Sequence, residues 1–364
     1  MRADIHFDGN QPLKTEDPLS KLLPNSTGVV RPIQMGSTLL GTLAVGRSAG
    51  EAQFAPNQVE VIHTFADFLA IQLVNSRLQD EQVDRRLSAH ELEIARNIQQ
   101  SLLPTAFPAL PGFGVAGYCI SAREVGGDFY DVIPLSGQRA LLVVADVMGK
   151  GVPAALFAAT LRTLIRTMTE WTQRPSELLA RINRLLFEEL SSVDMFITVQ
   201  IAMIDGRMRR LMVANAGHCP LLFCNLSGGH SWIAPEGMPL GILPDGTFLD
   251  ELVSLEDCSA LMLYTDGLTE ARNQQGEFYG QERLGAWLKA QTPGRPGASE
   301  LSAAFKLEMR DFQANGPIND DQTVLILAHD PLVRETPSPQ TVATNTLSSA
   351  PSFIRTVTAS PASQ

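Results

Sequence analysis

Six aspartates stand where a folded chain seldom leaves a carboxylate unanswered. Asp128 and Asp131 lie in Gly126-Gly127-Asp128-Phe129-Tyr130-Asp131, and Asp146 ends the apolar run Leu141-Leu142-Val143-Val144-Ala145. Asp266 ends a second run, Leu261-Met262-Leu263-Tyr264-Thr265, and Asp320 and Asp321 directly precede a third that ends Val324-Leu325-Ile326-Leu327. A carboxylate at the end of a buried strand is costly to desolvate without a cationic partner, and few Lys or Arg lie beside these in the sequence. Mg²⁺ or Mn²⁺ would answer the charge, since hard cations take oxygen ligands, and a water on such a cation becomes a nucleophile near neutral pH. Singly, each element is weak: Asp-Gly after a strand is commonly a turn, and two glycines before an Asp can serve a tight bend. Four such elements, each at the edge of an apolar strand, point to a site for two cations.

The elements that must position these acids are legible as a coarse pattern. Apolar strand candidates are Val115–Ile120, Ala140–Ala145, Phe196–Ile204, Leu211–Ala214, Leu221–Cys224, Ala260–Tyr264 and Val324–Ala328. Helical candidates are Pro153–Thr169, Ser176–Leu190, Glu282–Ala290 and Glu300–Phe312. Helices do not alternate one-for-one with strands, and hairpin links such as Asp205-Gly206 favour antiparallel pairing. Two sheets with helices outside would hold this count, within one domain over residues 104–330.

Residues 1–78 begin irregularly, with Pro12, Pro18, Pro24 and Pro32, then give a strand-like run, Ser37 to Val45. A helix is expected from Asn57, carrying Val61, Phe65, Leu69 and Leu73 on one face. It runs on, with room for an interruption, through an amphipathic segment at residues 79–103, where Ile94, Ile98 and Leu102 recur four apart, and Pro104 ends it. A helix of this length pairs with a second copy, giving a homodimer, or folds back on its own domain. Residues 331–364 are rich in Ser, Thr, Pro and Ala, and a disordered tail is expected there.

The formal charge of −11, with 44% hydrophobic and 18% charged residues, argues for a globular chain without nucleic-acid or anionic-membrane partners. Cys119, Cys219, Cys224 and Cys258 make no CxxC pair and read as free thiols of a reducing compartment. With no leader pattern and no apolar run near the ~20 residues that span a bilayer, a cytoplasmic location is expected.

Seven segments, in order, carry a resemblance: ELEIARNIQQSLLP, EVGGDFYDV, VVADVMGKGVPAAL, NAGHCP, GMPLGI, LYTDGLTEA and NDDQTVLIL. Over residues 92–330 the chain resembles the SpoIIE-type bacterial branch of the metal-dependent PPM phosphatases, which dephosphorylate anti-sigma-factor antagonists. The resemblance implies an α-β-β-α sandwich of two antiparallel sheets with two Mn²⁺ or Mg²⁺ ions in a cleft at one end. It makes Asp146 the acid that bridges both metals and the Val147 carbonyl a ligand of the second. Asp266 and Asp320 become ligands of the first, and Asp128 the acid near the second. Asp131 and Asp321 match less well, and Asp321, adjacent to Asp320, is expected to face away. The family commonly has Gly-His-Gly after the bridging acid; here Gly149-Lys150-Gly151 stands there, and Lys150 reads either as a contact for substrate phosphate or as a solvated loop lysine. His218 reads as a structural hydrogen-bonding group, with a catalytic acid as the alternative. Residues 28–78 resemble the end of a GAF sensor domain, through LLGTLAV and a helix ending IQLVNSRLQ, and cover only part of one.

The implied function is hydrolysis of phosphoserine or phosphothreonine on a protein, a small anti-sigma-factor-antagonist domain, by a metal-activated water, with the helix bearing Ile94 and Ile98 as regulator. The alternative is a weak pseudophosphatase that binds a regulatory partner through the same surface.

Overall fold

A computed structural model describes residues 27–47, 51–314 and 316–330, in two units divided between Ile98 and Gln99. The expected tail at residues 331–364 and the proline-bearing start lie outside the described residues, except for Pro32.

In the first unit β1 (Thr27–Met35) pairs antiparallel with β2 (Thr38–Arg47). The segment before Ser37, expected to be irregular, is therefore a strand: Val29, Val30 and Ile33 are buried in it despite Pro32. Helix α1 (Pro56–Leu102) is unbroken over 47 residues. It starts at a proline, whose missing N–H costs nothing at a first helical position, and stops ahead of Pro104 as expected. Its buried residues are Ala66 and Ala70, which cluster with Ile33. Small side chains bring that face of the helix close to the hairpin. Of the expected apolar face only Leu69 packs against that cluster, while Val61, Phe65 and Leu73 are exposed.

The second unit holds β3 (Phe113–Ile120), β4 (Phe129–Leu135), β5 (Arg139–Val147), α2 (Val152–Met168), α3 (Pro175–Ser192), β6 (Ile197–Asp205), β7 (Arg210–Ala216) and β8 (Leu221–Asn225). It continues with β9 (His230–Ile233), β10 (Glu251–Ser254), β11 (Cys258–Tyr264), α4 (Asp266–Thr269), α5 (Gly280–Gln291), α6 (Ala298–Phe312) and β12 (Gln322–His329). The strands form two five-stranded sheets, β10-β7-β6-β5-β4 and β3-β12-β11-β8-β9. Every pairing between their strands is antiparallel.

The alternation of side chains along β5 fixes the layers. Leu142 and Val144 pack with Leu261, Leu263, Leu325 and Leu327 of the other sheet. Leu141, Val143 and Ala145 pack with Leu161, Ile165, Leu179 and Ile182 of α2 and α3. Both faces are dry, which is why this strand reads as an uninterrupted apolar run. Met262, Tyr264, Val324 and Ile326 meet Leu284, Leu301 and Phe305 of α5 and α6 on the far side. The order is helices, sheet, sheet, helices, as expected.

Candidate active site

The four acids lie at one end of the two sheets. Asp146 is the last residue but one of β5, and Asp128 immediately precedes β4, whose Phe129 pairs with Ala145. Asp266 opens α4 just after β11, and Asp320 lies two residues before β12, where Tyr264 pairs with Val324. Antiparallel pairing puts the end of one strand beside the start of the next, so two residues from each sheet arrive together.

Their charges act on one another. Burial pushes the Asp146 carboxyl up to about 7, Asp266, Asp320 and Asp321 add to the rise, and a hydrogen bond with Asp128 opposes it. Burial, then the neighbouring Asp146 charge, holds Asp128 well above the usual carboxylate range. Asp266 is raised by burial, then by Glu270 and Asp320, and drawn back by the Gly267 backbone and Lys150. Asp146 is thus the acid that feels Asp128, Asp266 and Asp320 alike. Among the described residues no three His, Cys, Asp or Glu side chains close into a ready-made ligand group. The donor set is nonetheless all hard oxygen, carries several negative charges and is largely buried, which suits Mg²⁺ or Mn²⁺.

The loop bearing Asp128 is held from several sides. Asp321, expected to face away, turns inward: its carboxylate accepts the N–H groups of Ala122 (2.8 Å), Gly127 (2.8 Å) and Asp128 (3.4 Å). The Gln99 side chain brackets Gly126, its Nε2 donating to the carbonyl (2.7 Å) and its Oε1 accepting the N–H (3.1 Å). The Thr265 hydroxyl donates to Asp128 Oδ2 (2.7 Å). A Cβ on Gly127 would sit 2.5 Å from the Val147 carbonyl oxygen. The two glycines therefore do more than bend the chain: they let the loop pass between the Asp321 carboxylate and Val147. The sequence offers little sign of Gln99, Thr265 or Asp321 in these roles, because their partners lie 27 to 199 positions away.

Other expected residues fall differently. Asp131 lies in β4, away from the acid group, and is buried against α2, with Arg166 Nε at 2.6 Å and Arg162 Nε at 3.1 Å from Oδ2. The expectation that basic residues are lacking near the acids fails here, since α2 delivers two from beyond β5. It fails again at Lys150, whose part-exposed side chain reaches the acid group. Its ammonium meets Asp320 Oδ1 at 2.8 Å and the Asn319 carbonyl at 2.7 Å.

His218 is buried, with Nδ1 2.8 Å from the Thr198 hydroxyl. Asn215 brackets its backbone, accepting from its N–H (2.7 Å) and donating to its carbonyl (2.9 Å). This is the structural role expected of it. Ile94 and Ile98 are 47% and 59% exposed on α1. The four cysteines are free, and Cys224 and Cys258 are buried.

Residues 136–330 match the family model described as Stage II sporulation protein E (SpoIIE). Protein IcfG of Synechocystis sp. is 30% identical over 265 residues, 66% of this chain and 41% of that protein. Phosphoserine phosphatase RsbU of Bacillus subtilis is 29% identical over 241 residues, 65% of this chain and 69% of that protein. The chain thus spans less than half of the first of these relatives. The SiaA-PP2C domain of Pseudomonas aeruginosa superposes with a TM-score of 0.59 at 24% identity, over 68% of this chain and 99% of that domain, and so shares the fold. With the family model covering more than half of the sequence and this fold beneath it, the chain belongs to the SpoIIE family, the bacterial branch of the PPM phosphatases.

Proposed function

We propose that this chain is a metal-dependent serine/threonine phosphatase that removes phosphate from a phosphoserine or phosphothreonine of a regulatory protein, an anti-sigma-factor-antagonist domain. The observation that carries the reading is the meeting of Asp128, Asp266 and Asp320, from both sheets, around Asp146. Asp146 would face both of two Mn²⁺ or Mg²⁺ ions, with Asp266 and Asp320 toward one and Asp128 and the Val147 carbonyl toward the other. When bound, such ions spread the charge on the phosphoryl oxygens and acidify a water.

The chain's own part is to hold these oxygens in place. Thr265 fixes the Asp128 carboxyl, and Asp321 fixes the loop that carries it. A hollow of ≈ 110 Å³ beside Asp320 and Glu270, lined also by Arg272, offers a substrate phosphoryl group room and a positive charge. The water oxygen bonds to phosphorus as the bond to the seryl oxygen breaks, and that oxygen takes up a proton. No phosphoenzyme is required, and the sequence has no Cys-x5-Arg loop of the cysteine phosphatases.

The same reading makes the protein a cytoplasmic homodimer. Residues 1–78 act as a partial GAF-like dimerisation region, and the segment bearing Ile94 and Ile98 regulates turnover. Support for regulation comes from Gln99, which directly follows Ile98 and grips Gly126 in the loop of Asp128. No helix among the described residues is long and apolar enough to cross a membrane.

The test is hydrolysis of an aryl phosphate and of a phosphoserine peptide. Activity should require Mn²⁺ or Mg²⁺ and vanish with chelator. Asp146→Asn should lose more than the roughly 10- to 100-fold that removal of a ligand's supporting partner costs. Wild-type turnover in that variant would sink the two-metal assignment, and an inactive but phosphoprotein-binding wild type would favour the pseudophosphatase.

A further inference from the structure

Lys150 stands between two glycines of positive φ, 93° at Gly149 and 82° at Gly151. Residues with a Cβ resist that conformation, so the pair permits a sharp fold of the chain between β5 and α2. The fold leaves Lys150 reaching across to the segment before β12, where its ammonium pairs with Asp320 Oδ1 and the Asn319 carbonyl. Among the described residues this is the one ion pair made by Asp128, Asp146, Asp266 or Asp320. The contact is part-exposed, with the lysine side chain 33% and the aspartate side chain 46% accessible.

We propose that Lys150 is a built-in counter-ion of the acid group, competing with a divalent cation for Asp320 and so setting the metal concentration at which the site fills. The inference rests on the metal-dependent reading above. A cation held by the Asp320 carboxylate would meet an ammonium already beside it, and two positive charges repel at such range. Lysine suits the role because its charge sits on a flexible four-carbon stem and can swing away without moving the backbone. Part-exposed ion pairs contribute little, so the competition shifts the affinity for metal without abolishing it. In exchange, the lysine lessens the repulsion among the carboxylates when no divalent ion is there to do so.

Direct Mn²⁺ titration, read from the paramagnetic resonance signal of free Mn²⁺, tests this on the full chain. Lys150→Met should bind Mn²⁺ about three- to tenfold more tightly than wild type and should melt at a lower temperature in chelator. Lys150→Arg, which keeps the charge, should stay within about twofold of wild type. Lys150→Gln replaces the methionine variant if the latter shows no cooperative melt. Equal or weaker Mn²⁺ binding in the neutral variant overturns the lysine's role while leaving metal dependence intact. A wild type that binds no Mn²⁺ overturns both.

Discussion

His218 is held neutral by its surroundings: burial pushes its imidazole down to about 4, against an opposing contribution from the Tyr264 backbone. The unfolded chain takes up a proton near the ordinary value of about 6.5, so the folded state binds fewer protons between those two values. Stability is therefore full above about pH 6.5 and falls as pH drops toward 4, by a few kcal/mol at most. Thermal melts of wild type and His218→Gln from pH 7 to pH 4.5 should converge as the pH falls, and parallel curves would refute the assignment. Asp321→Ala should leave the N–H groups of Ala122 and Gly127 without their acceptor, at about 1–3 kcal/mol each if they stay buried. It should lower turnover and stability together. Asp146, Asp266 and Asp320 were readable in the sequence because each places a charge against an apolar run. Asp321 shares that position, yet its use as a loop anchor depends on a turn almost two hundred residues away.

Two helices invite tests of their own. Along α1 the residues Val83, Leu87, Ile94 and Ile98 are exposed and spaced four, seven and four apart, a broken heptad suited to a second copy of the same helix. If the proposed homodimer forms through this face, Leu87→Lys with Ile94→Lys should give a monomer in light scattering where wild type gives a dimer. Ile98→Ala should change the Mn²⁺ concentration for half-maximal activity. Because Ile98 is exposed, its truncation should leave the melting temperature nearly unchanged; a lower melting point with an unaltered metal requirement would mark it as a packing residue. Helix α2 is joined to β4 through Asp131, which Arg166 grips with two hydrogen bonds of 2.6 and 2.7 Å. Arg166→Met should destabilise the fold, by less than the roughly 3–5 kcal/mol of a buried charge left wholly alone, because Arg162 remains. The central strands were plain from their apolar runs. β4 was hidden by Asp131 and Pro134 within it, and β10, of sequence Glu-Leu-Val-Ser, is a mostly exposed sheet edge with little apolar signal.

At the scale of the whole molecule, the sandwich was recoverable from the count and clustering of strands, since antiparallel sheets buried on both faces leave few other arrangements for that pattern. What strand counting does not supply is the order within each sheet. β12 lies between β3 and β11, and its Gln322 is registered against Ile120, over two hundred positions earlier. The first sheet contains only residues up to Ser254, so all five of its strands leave the ribosome well before the second sheet can close. Contacts so distant in sequence form slowly, and until β12 arrives β3 has no neighbour in its sheet. Asp320 and Asp321 enter with that same strand, so the acid group stays incomplete until that strand is made. A nascent chain stalled before Asp320 should show no hydrolysis even with its first sheet formed. On the proposed function, the strand order thus postpones hydrolysis until synthesis of this domain is all but finished.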